Sequence, residues 1–197
     1  MNKWNLIENF SNQNNGYITT ADLEKLDVSK PTLNSYVKNG KLEKVRHGVY
    51  ILPEVFEDAM LTIQLRSPKV IFSHDTALFL HDLTDRDPLY YIGTVPMNYN
   101  ATHLRKQNMR IYYAANELHQ LGSEQVETSY GHKVSCYNIE RTLCDIVKLR
   151  AKMDIAMVTD AYKRYVKLKG KDINKLMGYA EKIGVSKQVR TYLEVLL

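Results

Sequence analysis

Residues 29–52, SKPTLNSYVKNGKLEKVRHGVYIL, read as a recognition helix running directly into a basic two-stranded wing. Leu33, Tyr36 and Val37 fall at i, i+3 and i+4, the spacing of one helix face. Ser29 suits the N-cap, Pro31 is confined to the first turn, and Asn39-Gly40 stops the helix. With the apolar trio turned inward at about 100° per residue, Pro31, Asn34, Ser35 and Lys38 face outward, flanked by Thr32 and Asn39. Leu42–Val45 and Val49–Leu52 are β-prone runs separated by Arg46-His47-Gly48, whose glycine can take a positive φ, so a hairpin is predicted.

Working outward, Thr19 and Asp22 have the spacing of a capping box opening a short helix, with Asp27-Val28 as the following turn. An earlier helix over Lys3–Phe10 carries Trp4, Ile7 and Phe10 three apart. Helix, helix, recognition helix and hairpin is the order of a winged helix-turn-helix. The predicted head spans residues 1–53, followed by a linking helix in 54–68 that begins near Glu54 and sets Val55, Ala59, Thr62 and Ile63 toward one side.

Between positions 29 and 48 five basic residues, Lys30, Lys38, Lys41, Lys44 and Arg46, stand against one acid, Glu43. That local excess, 5 − 1 = +4, compares with only +5 for the whole 197-residue chain. Cations attract phosphate whatever the base sequence, whereas amides and hydroxyls on a groove-facing helix read base edges. The expected DNA contacts are therefore Lys30, Thr32, Asn34, Ser35, Lys38, Lys41, Lys44, Arg46 and His47. A basic winged helix can instead serve protein contacts, since fold alone does not settle function.

From Lys69 strand-like and helical runs alternate: Val70–Phe72, a helix over about Asp75–Leu83 capped by Ser73 or Asp75, then Leu89–Ile92 and Met109–Tyr113. A hairpin is predicted from Val126–Tyr130 and Lys133–Tyr137, and helices follow to the end, with Asp172 and Ser186 as caps. The fold class expected is α+β: a winged helix-turn-helix, then a larger mixed α/β domain over residues 69–197 that ends in a helical bundle. Asp160–Arg190 holds a second basic block, of which Lys163, Arg164, Lys167, Lys169 and Lys171 form the densest part. It is a possible secondary nucleic-acid patch, although exposed helical lysines usually only solvate a surface.

Composition, at 44% hydrophobic and 25% charged, is that of an ordinary globular protein. The start, MNKWNLIENF, holds no apolar run of signal-peptide length, and no segment approaches the roughly 20 apolar residues of a membrane span, so the cytoplasm is expected. Cys136 and Cys144 make neither a metal pattern nor a disulfide framework and are expected to be buried small residues. No phosphate-binding glycine loop, nucleophile elbow, zincin helix or paired CxxC occurs; no catalytic residue, cofactor or metal is assigned. His74-Asp75 and His81-Asp82, seven residues apart, offer one weak alternative, a metal-dependent nucleic-acid enzyme delivered by the winged helix. A ligand-responsive transcription factor is another, because apolar pockets leave no motif. The Tyr90-Tyr91 and Tyr112-Tyr113 pairs suit sheet packing. Arg141 and Asp145, at i and i+4, suit a surface or partly buried ion pair.

The ordered trio of Lys44–Tyr50 (KVRHGVY), His74–Leu83 (HDTALFLHDL) and Asn138–Ile146 (NIERTLCDI) resembles the AbiEi family of bacterial antitoxins over nearly the whole chain. Arg46, Gly48 and Tyr50 match the wing motif; Glu140, Arg141, Thr142, Leu143 and Asp145 match the C-terminal block, whose role the resemblance leaves open. Cys144 stands where a small residue such as alanine is expected, and Asn138 where a hydroxyl cap is more usual. The resemblance implies a transcriptional repressor whose winged helix binds inverted repeats in its own promoter, as a weak dimer or as monomers placed cooperatively on the double-stranded DNA. It implies a type IV toxin-antitoxin system in abortive infection and phage resistance. The functional partner is then a nucleotidyltransferase-like toxin that forms no stable complex with the antitoxin.

Overall fold

The computed structural model describes residues 3–196, a mixed α+β fold with two sheets, as the sequence predicts. The chain divides into two compact units. The first runs to Pro68 and includes Thr128–His132; the second comprises Lys69–Glu127 and Lys133 onward.

In the first unit α1 (Lys3–Gln13), β1 (Tyr17–Thr19), α2 (Thr20–Lys25) and α3 (Lys30–Lys38) precede β2 (Glu43–Arg46), β3 (Val49–Ile51) and α4 (Ala59–Arg66). The wing has three strands rather than two: Tyr17–Thr19 pairs antiparallel with β3, giving the order β1-β3-β2. Ile7, Ile18, Leu23, Leu33, Leu42, Tyr50 and Leu52 form one buried cluster, to which α1, β1, α2, α3 and β3 all contribute. The linking helix begins at Ala59, not near Glu54. Asp58 caps it, its Oδ1 accepting from the Met60 and Leu61 amides at 2.9 and 3.2 Å, and this fixes the start that periodicity placed too early.

The second unit is built on a five-stranded sheet of β4 (Ile71–Phe72), β5 (Ile92–Pro96), β6 (Arg110–Ala114), β7 (Ser123–Glu127) and β8 (Lys133–Tyr137), ordered β6-β5-β4-β8-β7. Its helices are α5 (His74–Leu80), α6 (Thr102–Arg105), α7 (Asn116–His119), α8 (Ile139–Lys148), α9 (Ile155–Lys167), α10 (Ile173–Ile183) and α11 (Ser186–Leu196). β4 pairs parallel with β8 and antiparallel with β5, and β5 pairs parallel with β6. α8 is buried along almost its whole length and packs with α5, α9 and α10 into a core holding Leu78, Leu143, Ile146, Tyr162, Leu176 and Val189.

Several predicted boundaries move. The strand expected at Leu89–Ile92 begins at Ile92; Leu89 is 92% exposed, and a β-prone side chain with no face to pack against does not make a strand. The first hairpin strand is the polar Ser123–Glu127 rather than Val126–Tyr130. It lies at the sheet edge and needs few apolar residues, while the Thr128 amide donates to the His132 carbonyl at 2.8 Å to close the turn. Ser186 is the first residue of α11, not its cap. Ser73 holds the cap position of α5, but its side chain makes no capping bond because its hydroxyl is engaged by Thr94 and His74. Asp172 caps α10 through the Lys175 amide at 2.8 Å.

Candidate nucleic-acid interface

The interface is assembled by local bonds that the residue order dictates. The Thr19 hydroxyl accepts from the Asp22 amide while Asp22 Oδ2 accepts from the Thr19 amide at 3.1 Å, completing the capping box. Asp27 turns the chain at φ 52°, which an Asp tolerates better than most residues, and the Val28 amide returns to the Leu23 carbonyl at 2.9 Å. Ser29 then caps α3 by accepting from the Thr32 amide at 3.3 Å. Leu33 is buried and Tyr36 and Val37 half-buried, leaving Lys30, Asn34, Ser35 and Lys38 exposed. The expected groove-facing side is thus the solvent side.

Not every expected contact residue is equally available. Thr32 is half-buried with its hydroxyl 2.8 Å from that of Ser29, and Ser35 Oγ accepts from Asn39 Nδ2 at 3.4 Å. Lys41 lies over Trp4, its ammonium 4.9 Å from the ring centre and 5.9 Å from that of Tyr36, so its charge is held over an aromatic pair. In the wing Lys44 and His47 are exposed, but Arg46 Nε lies 3.7 Å from Glu57 Oε1, which offsets part of its charge. A bulge between Lys44 and Arg46 and a left-handed Gly48, φ 81°, shape the turn. Arg66, which sequence reasoning passed over, donates from Nη1 to the His47 carbonyl at 3.0 Å and fastens the wing turn to α4. No local signal announces a contact between residues nineteen apart.

The C-terminal block is bonded into the interior of the second unit. Arg141 and Asp145 are buried, not a surface pair: Arg141 Nε lies 3.1 Å from both Asp145 oxygens, and its Nη1 donates to the Leu118 and Leu121 carbonyls at 2.7 and 2.9 Å. The guanidinium also lies 4.3 Å from the Tyr137 ring centre. Glu140 pairs with Lys175 at 3.0 Å, the Thr142 hydroxyl donates to the Tyr137 carbonyl, and Asn138 caps the helix through the Arg141 amide. Each polar side chain of the motif thus has a partner within the second unit.

His74 and His81 do not share a face. His74 adopts φ 52°, which breaks the helical i, i+7 relation, and its ring packs on Tyr112 of β6. His81 Nε2 instead lies 2.8 Å from the Tyr137 carbonyl of β8, on the opposite side of β4 in the strand order. Asp75 and Asp82 join neither ring, and among the described residues no group of three or more His, Cys, Asp or Glu could hold a metal. Cys136 and Cys144 are free and buried, and burial pushes both thiols up, to about 12 for Cys144.

The second basic block is weaker than its charge count. Arg164 is committed to Asp85 and to Asp160, and Lys171 is half-buried with its ammonium 3.4 Å from the Leu168 carbonyl. Lys163, Lys167 and Lys169 remain exposed. No helix among the described residues is long and apolar enough to cross a membrane.

No curated protein matches the chain. Among solved structures, the crystal structure of the RV2827C protein from Mycobacterium tuberculosis is similar in fold, with a TM-score of 0.54 over 98% of this chain and 82% of that one. At 10% sequence identity this likeness concerns the fold alone. Residues 5–53 match the family model described as "Transcriptional regulator, AbiEi antitoxin". That span runs from α1 to the end of the wing, so the similarity to the AbiEi antitoxin transcriptional regulators lies in the winged-helix head.

Proposed function

We propose that this protein is the DNA-binding repressor and antitoxin of a type IV toxin-antitoxin system. The observation that carries this reading is the solvent side of α3: Lys30, Asn34, Ser35 and Lys38 are exposed in a head that matches an antitoxin regulator family. Amide and hydroxyl groups there suit base edges, while Lys30, Lys38, Lys41 and Lys44 suit phosphates. Arg46 and His47 flank the wing turn, where a duplex backbone or minor groove is within reach of a winged helix. The operator is an inverted repeat in the protein's own promoter, bound by a weak dimer or by monomers placed cooperatively. The region beyond residue 53 carries neutralisation of a nucleotidyltransferase-like toxin without a stable complex.

Fluorescence anisotropy with the protein's own upstream DNA and with random DNA of equal length tests the first part. Specific binding persists at salt concentrations that release the random duplex; equal affinity for both ends the repressor reading. Co-expression tests the second part: the full chain relieves the toxicity of a nucleotidyltransferase encoded beside it while no complex survives size-exclusion chromatography, and the lack of any such neighbour ends this part of the reading. A stable complex overturns the type IV assignment.

A further inference from the structure

The second unit contains a cleft of about 320 Å³ where the two C-terminal motif blocks meet. His74 comes from the first block, and Arg141 and Asp145 from the second. Met97, Leu118 and Ile183 give it apolar walls, and Lys148, exposed at the end of α8, adds an ammonium. An apolar cleft with a few converging polar groups is the usual form of a small-molecule site.

His74 is the unusual member. It is 5% exposed, and a non-glycine residue at φ 52° carries backbone strain that the surrounding structure must hold. Tyr112 supports its ring at 4.3 Å, and its Nδ1 lies 2.9 Å from Ser73 Oγ. Ser73 Oγ accepts from the Thr94 hydroxyl at 2.9 Å, and donating its own proton to His74 Nδ1 is the arrangement that leaves neither the hydroxyl proton nor Nδ1 without a partner. A neutral imidazole must then carry its proton on Nε2, and among the described residues Nε2 has no hydrogen-bond partner. Burial, reinforced by Arg141, keeps the ring neutral, its pKa pushed down to about 3. His74 therefore brings to this lining an N–H with no protein acceptor among the described residues, on a side chain that is itself almost fully buried. Arg141 and Asp145 offset each other, and the uncompensated charge of the lining is that of Lys148.

We propose that this cleft binds a small organic acid, its carboxylate between His74 Nε2–H and the Lys148 ammonium and its apolar body against Met97, Leu118 and Ile183. A monocarboxylate supplies the acceptor that Nε2 lacks and the single negative charge that the lining calls for. Neither α3 nor the wing enters this argument, so it stands whether or not the head binds DNA.

The test uses the full chain at neutral pH, titrated with 3-phenylpropionate, with its neutral amide and with inorganic phosphate, and followed by backbone amide NMR. The acid shifts the amides of residues 112–115 and 145–149 saturably, and the neutral amide binds at least about tenfold more weakly, as expected when a charge-assisted hydrogen bond is lost. Lys148→Met, a change at an exposed site, brings the acid down to the level of its amide with the melting temperature retained. Lys152→Met, outside this cleft, leaves the affinity alone. His74→Asn, a residue type that tolerates the left-handed backbone, also weakens the acid, with the dispersed spectrum showing that the fold is kept. Equal binding of acid and amide, unchanged acid binding in Lys148→Met, the same shifts with phosphate alone, or no shifts up to roughly 10 mM acid each overturn the proposal.

Discussion

Asp58 Oδ2 and His132 Nδ1 lie 3.0 Å apart although the residues are seventy-four positions apart in sequence. The same carboxylate oxygen accepts from the Thr128 hydroxyl at 2.5 Å, while Oδ1 caps α4. Asp58 is 2% exposed, so one buried carboxylate holds a helix start and a distant loop together within the first unit.

Asp58→Ala is therefore expected to remove a cap and strand the buried Thr128 hydroxyl and the partly buried His132 ring. The loss is about 3 kcal/mol, from roughly 1 for the cap and 1–3 for the unsatisfied partners. Urea denaturation of the full chain measures it. Thr128→Val should cost clearly less, and a loss below about 1 kcal/mol for Asp58→Ala would show that the carboxylate is not the organising group.

On the DNA side, Lys38→Ala and Lys44→Ala should each lower the slope of log affinity against log salt by about one and weaken random and operator DNA alike. Asn34→Ala should leave that slope intact and reduce only the preference for operator. Arg46→Ala has a second effect, because it also releases Glu57. Salt titrations of the four variants separate these outcomes; an unchanged slope in both lysine variants removes them from the phosphate contacts.

Arg141→Lys should cost about 3–5 kcal/mol despite keeping the charge, since an ammonium cannot reach Asp145 and the Leu118 and Leu121 carbonyls from one planar fork. Replacing both partners, Arg141→Met with Asp145→Leu, should be milder than Arg141→Met alone, because the second change removes the uncompensated buried charge. Chemical denaturation compares the three. A tolerated Arg141→Lys would instead assign the motif a role other than folding.

Stability should depend on pH through His74 and Asp145 with opposite signs. His74 has its pKa lowered from 6.5 to about 3, so the folded state binds fewer protons than the unfolded one in that window, and stability falls as pH drops through it. Burial raises Asp145 to about 6 despite the adjacent Arg141, so the folded state binds more protons between the ordinary carboxylate range and pH 6, and stability falls as pH rises there. The two slopes oppose each other. Against His74→Asn, the wild-type chain should gain up to about 1.4 kcal/mol per pH unit as pH rises toward 6.5. Parallel stability curves for the two proteins would mean that His74 titrates normally.

The winged-helix head was legible in the sequence because its signals are local. The Thr19–Asp22 box, the Ser29 cap, the Leu33-Tyr36-Val37 stripe and the Gly48 turn each act within a few residues, and hydrogen bonds of that range need no knowledge of the rest of the chain. The helices of the final third follow from the same periodicity. Relations across tens of residues emerge only on folding: the parallel pairing of Phe72 with Cys136, the fastening of His47 by Arg66, and the burial of Arg141 with Asp145. The i, i+4 spacing of that pair is the same on a surface as in a core. In the folded chain Gly122, with its left-handed backbone at φ 77°, packs against the pair so closely that a Cβ there would come within 2.7 Å of Arg141 Cβ. Strand partners and burial depend on which distant surfaces meet, and a sequence records neither until the chain has closed on itself.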